Sequence, residues 1–79
     1  MSETEIFIKI KTIIHHTFQT NYPIQMTSTA DDVDQWDSIT HIELITNVEK
    51  EFGIRFALGE LQELKNVGEM VTLVGRKLN

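Results

Sequence analysis

Ser38 is the residue of this chain whose surroundings point most clearly to chemistry: it follows Asp37 and opens the run Ile39, Thr40, His41, Ile42, Glu43, Leu44, Ile45. Apolar residues at 39, 42, 45, 48 and 52 recur at three- and four-residue steps, which predicts an amphipathic helix beginning within a residue of the serine. A hydroxyl there lies beside unpaired backbone N–H groups and the positive end of the helix dipole, a setting that suits a phosphate ester. The chemistry this predicts is attachment of a phosphate-linked group. The plain alternative is a capping serine, but Asp37 is the stronger N-cap, because its carboxylate accepts from the first turn's N–H groups. No histidine, lysine or carboxylate pair is arranged along the sequence to activate Ser38 as a catalytic nucleophile, so no catalytic residue is assigned.

Other titratable residues read as structural or as contact points. Asp31, Asp32, Asp34 and Asp37 cluster before the helix, yet they lack the glycine and terminal glutamate of a calcium loop and are expected to be solvated; no metal site is assigned. His15, His16 and His41 have no carboxylate or cysteine spacing that completes a metal site, and are expected at the surface or its boundary. Glu43 and Glu49 are placed on the polar side of the helix, where a solvated face and a recognition surface are equally good readings.

The elements that must position Ser38 follow from hydrophobic period. Ser2 and Glu5 fit a capping box, and Ile6, Ile10, Ile13, Ile14 and Phe18 mark one face of a first helix ending near Thr20 or Asn21, before Tyr22 and Pro23. A long aperiodic connection then runs to residue 36, with Ile24, Met26, Val33 and Trp36 available to pin it to the core. The second helix runs from about Asp37 to Phe52 and stops at Gly53. Glu60 to Leu64 is expected to make one or two helical turns. Asn66 and Glu69 suggest another capping box, followed by the stripe Val67, Met70, Val71, Val74 and Leu78 on a last helix. The sum is an all-α four-helix bundle, three main helices and one short, with residues 1–79 forming a single domain.

Composition narrows the function. With 79 residues and no cysteine, the chain buries only roughly 60% of its unfolded surface and must be held by helix packing, which suits a carrier or interaction module better than an enzyme. Seven basic against twelve acidic residues give a net charge of -5, which argues against nucleic acid and favours partners with basic surfaces. The polar, acidic start and the absence of any long apolar run predict a cytoplasmic protein with no membrane span.

Asp37, Ser38 and Ile39, followed by Glu43 and Leu44, then by Val48, Glu49, Lys50, Glu51, Phe52, Gly53 and Ile54, and finally by Asn66, Val67, Gly68, Glu69, Met70 and Val71, resemble the acyl carrier proteins over most of the chain. The resemblance implies that Ser38 bears a 4'-phosphopantetheine arm taken from coenzyme A by a phosphopantetheinyl transferase. It implies acyl or aminoacyl cargo held as a thioester and passed between acyl-loading and acyl-accepting enzymes, with the carrier itself non-catalytic and monomeric. It points to Asp37, Ile39, Ile42, Glu43 and Glu49 as partner-recognition residues, and to Ile42, Ile45 and Val48 on the inner face of the second helix as the lining of an acyl tunnel. The chain departs from the fatty acid carriers at Thr40 and Lys50, where acids are usual, and at Trp36, where a small residue is usual; Ala57 and Leu58 replace a proline and an acid. These departures point to a dedicated carrier of a specialised pathway, such as a polyketide, modified-sugar or aminoacyl system. The competing reading is an unmodified helical interaction module with the same fold, which would not need Ser38. A small hydrolase using Ser38 is the weakest reading, for want of triad partners.

Overall fold

The computed structural model describes residues 1–61 and 64–78. Among these residues four helices follow in order: α1 Glu3–Phe18, α2 Ser38–Phe52, α3 Leu58–Leu61 and α4 Val67–Leu78, with a 3-10 turn, Ala30–Asp32, inside the long α1–α2 connection. No strand occurs among the described residues. The all-α expectation holds.

The first helix starts where its sequence provides donors with partners. Ser2 Oγ accepts from Glu5 N at 3.2 Å while Glu5 Oε1 accepts from Ser2 N at 3.1 Å, a reciprocal cap that satisfies two of the orphan N–H groups. It ends two to three residues earlier than its period predicts. Gln19 takes a left-handed conformation with φ 51°, and both Gln19 N and Thr20 N turn back to the carbonyl of His15, which closes the helix before Tyr22 and Pro23 can act. α1 packs against both α2 and α4, presenting Ile6, Ile10, Ile14 and Phe18 to one core with Leu44, Ile45 and Val48 of α2 and Val67, Met70, Val71 and Val74 of α4.

The long connection is part of that core. Ile24, Val33 and Trp36 are buried and Met26 is packed against them, as their apolar spacing predicts. Two carbonyls of the loop receive the first N–H groups of α4: Val67 N donates to Ser28 O at 3.0 Å and Gly68 N to Met26 O at 2.7 Å. These bonds take the place of solvent for donors that no helix satisfies internally. Gly68 suits this close approach, since a Cβ there would crowd the Met26 carbonyl oxygen at 3.0 Å.

Three expectations for the last third need correction. The short helix begins at Leu58, earlier than Glu60, because Glu60 Oε1 reaches back to accept from Ala57 N at 2.7 Å and sets the helix start there; Leu64 lies outside the helix. The expectation of helix at Gln62 and Glu63 lies outside the described residues. On α4 the buried set gains Leu73 and loses Leu78, which is 37% exposed at the last position of the helix. The Asn66–Glu69 box is half made: Asn66 Oδ1 accepts from Glu69 N at 2.8 Å, but Glu69 Oε2 takes Lys65 N instead of Asn66 N.

Candidate functional site

The start of α2 is built by Asp37, which leaves Ser38 free. Asp37 Oδ1 accepts from Ile39 N and Thr40 N, each at 2.9 Å. Thr40 N–H is the strongest of the influences that hold the Asp37 carboxyl below the usual aspartate range, followed by Ile39 N–H. Thr40 completes the cap, its Oγ1 accepting from Asp37 N at 2.8 Å and donating to Gln35 O at 2.7 Å. An acid at position 40 would supply the acceptor but no proton for the Gln35 carbonyl, which accounts for the threonine. Ser38 itself is exposed, on the first turn of a fifteen-residue helix, and its hydroxyl makes no hydrogen bond among the described residues. The capping alternative for Ser38 is thereby removed.

Beside Ser38 runs an open groove of about 350 Å³ lined by Ala30, Trp36, Asp37, Ser38, His41, Leu64 and Lys65. Trp36 forms its inner wall: the indole is buried, 5.6 Å from the Phe18 ring centroid, and its Nε1–H donates to His41 Nδ1 at 3.0 Å. The two rings lie nearly parallel, 18° apart. Burial pushes the His41 imidazole below its ordinary value, and the indole, which is donor only, requires His41 Nδ1 to be unprotonated. The neutral ring therefore carries its proton on Nε2. Sequence reasoning assigned His41 to the surface or boundary; the signals that place it at the site are its three-residue step from Ser38 and the need of a buried indole N–H at Trp36 for an acceptor.

The other expected site residues fall in three places. Ile39 and Ile42 are 73% and 66% exposed and stand on the outside of α2 with exposed Glu43. Ile42 is therefore not part of an inner lining. A strict three-residue step drifts about 60° around the helix each time, so Ile42 lies about 120° from Val48 and Ile39 opposite it; the inner face is Leu44, Ile45 and Val48. Glu49 is half-buried, and its Oε2 accepts from Phe56 N at 2.8 Å, tying the α2–α3 connection to α2. His15 Nε2 lies 2.7 Å from the Tyr22 carbonyl oxygen, and His16 lines a separate groove with Lys50 and Glu51; neither joins Ser38. Asp32 Oδ2 accepts from Thr29 N at 2.9 Å and closes the 3-10 turn.

An exposed, uncommitted serine at a capped helix start, backed by a groove with one lysine, fits a phosphodiester-linked group on a small domain. The chain matches the family model described as "Phosphopantetheine attachment site" over residues 36–74. It is 37% identical over 76 residues to an acyl carrier protein of Lactobacillus acidophilus, covering 94% of each chain, and 32% identical over 79 residues to one of Thermotoga maritima, covering 98% of this chain and 96% of that protein. Its fold superposes on the solution structure of the holo acyl carrier protein of Geobacter metallireducens with a TM-score of 0.86 and 39% identity, over 92% of this chain and 85% of that one. The chain belongs to the acyl carrier protein family. The prosthetic group that accompanies this family is 4'-phosphopantetheine.

Proposed function

We propose that Ser38 carries the 4'-phosphopantetheine arm and that the protein ferries acyl or aminoacyl intermediates between biosynthetic enzymes. The observation that supports this most directly is the division of labour at the start of α2, where Asp37 caps and Ser38 is exposed with an unused hydroxyl. In the loading reaction Ser38 Oγ attacks the phosphorus of coenzyme A that bears the pantetheine. The bond to the bridging oxygen of the pyrophosphate breaks, 3',5'-adenosine diphosphate leaves, and the hydroxyl proton passes to a base of the transferase. A phosphodiester on Ser38 would sit at the positive end of the α2 dipole, beside the groove that Lys65 lines, two features that would favour its negative charge although the Ile39 and Thr40 N–H groups are already taken by Asp37. The bound arm supplies reach and a terminal thiol, on which the cargo rides as a thioester. The chain's own part is to hold that attachment point, present Asp37, Ile39, Ile42 and Glu43 to enzymes with basic surfaces, and take no part in bond making on the cargo.

The departures at Trp36, Thr40 and Lys50 favour a specialised pathway over bulk fatty acid synthesis. Glu49 takes its place in partner contact only through its remaining oxygen, since Oε2 is held by Phe56 N. A fluorescent coenzyme A analogue and a broad-specificity transferase test the reading: the native chain is labelled, and Ser38→Ala remains helical by circular dichroism but takes no label. Labelling of Ser38→Ala would overturn the assignment, and full pathway activity of an unlabelled protein would favour the arm-free interaction module.

A further inference from the structure

We propose that the groove formed by Trp36, His41, Leu64 and Lys65 is a docking site for the inner half of the arm, so that the phosphate and pantoyl portion lies against the protein and only the outer half swings free. The inference rests on Ser38 being the attachment point, and it follows from matching the chemistry of the groove to the order of groups along the arm. Nearest the serine is a phosphodiester with one negative charge; among the described residues the charged ones lining the groove beside Ser38 are Asp37 and Lys65, and Asp37 is turned to the helix by its bonds to Ile39 N and Thr40 N, which leaves Lys65 of these two to face the phosphate. Next comes a carbon bearing two geminal methyls, the one apolar bulge of the arm, and the groove offers Trp36 and Leu64 as apolar walls. Beyond it come a hydroxyl and an amide carbonyl, both acceptors. His41 is able to donate to them because its Nδ1 is occupied by the Trp36 indole, which fixes the proton on Nε2.

The Trp36–His41 couple is what distinguishes this groove from a bare helix start. A small residue at 36 would remove the apolar wall and, with it, the hydrogen bond that sets the His41 tautomer. Docking here restrains the arm at its root without a covalent change and presents its thiol end in a limited range of directions.

The test is nuclear magnetic resonance on the full chain before and after conversion by a transferase, with conversion verified by intact mass. The docked arm predicts nuclear Overhauser contacts from the geminal methyls to the Trp36 indole and Leu64 protons. It also predicts that the Trp36 Nε1–H resonance shifts on conversion by more than any backbone amide of α1 does. Converted protein with no such contacts and an unmoved indole resonance overturns the docking while leaving Ser38 as attachment point. Protein that gains no mass beside a control carrier that does overturns both. In the converted Trp36→Ala protein, methyl contacts to Leu64 should be lost; their persistence at full strength would show that the indole wall is not what holds the arm, and would overturn the site as drawn.

Discussion

Asp37 and Ser38 are adjacent, and either is chemically able to cap α2; the difference between them is what the proposed role of Ser38 rests on. Asp37 has taken the cap, with two N–H groups on one carboxylate oxygen. Its folded-state pKa is depressed, so the stabilisation it gives is complete above the ordinary aspartate range and is lost as pH falls through the lower folded value. Asp37→Ala should lower the melting temperature by a few degrees at neutral pH and narrow the difference from native protein as the pH is taken down into the acid range, which thermal unfolding followed by circular dichroism reads. His41 works with the same sign. Burial depresses its pKa, so its contribution is full above about pH 6.5, the unfolded imidazole value, and is lost as the pH falls below it. The imidazolium also has no lone pair for the indole, so Trp36 fluorescence should change over that acid limb in native protein and show no such change in His41→Gln. On the outer side of α2, Glu43 is exposed and free of packing constraint. Glu43→Lys should slow loading by the transferase, most at low ionic strength, with stability unchanged; unaltered rates at low salt would remove Glu43 from the docking surface.

At the scale of elements, the sequence is most legible where a local rule and the tertiary structure agree. The Ser2–Glu5 box, the Gly53 stop, the buried face of α1 and the Val67, Met70, Val71 and Val74 part of the α4 face are all carried by short-range pattern. Gly53 closes α2 with φ 65°, so Gly53→Ala should cost about 1 kcal/mol of unfolding free energy in urea titration, although a Cβ there meets nothing within 4 Å. Ile10, fully buried between α2 and α4, should cost about 3 kcal/mol as Ile10→Ala. The failures have equally local causes. Ile39 and Ile42 fit an apolar period, but a three-residue step winds around the helix, and only packing against α1 decides which part of the spiral is inside. The end of α1 is set by a left-handed glutamine, a conformation no propensity favours. The start of α3 depends on a side chain, Glu60, reaching back three residues and also pairing with Lys77 of α4 at 2.8 Å, a contact between elements that no local pattern encodes.

For the whole molecule, a chain without cysteines must obtain its rigidity from one shared core, and the α1–α2 connection shows how. Its apolar residues enter the core while its carbonyls cap α4, so the segment that leads into Ser38 is fixed by contacts at both of its ends. Trp36 links that core to the site, with Phe18 on one side and His41 on the other. The helix start at Ser38, the proposed attachment point, was legible from residue order alone, because its elements are a motif and a capped helix. The groove beside it was not, because it joins Ala30, Trp36, His41 and Leu64–Lys65 from three parts of the chain that only the folded core brings together. The central claim is that this scaffold exists to hold one modifiable hydroxyl. It is tested most directly by the intact mass of the protein after incubation with coenzyme A, magnesium and a broad-specificity transferase, with peptide mapping of the product. The account predicts a gain of one phosphopantetheinyl group, located on Ser38; an unchanged mass beside a control carrier modified in the same tube, or a gain mapped to any other residue, would contradict it.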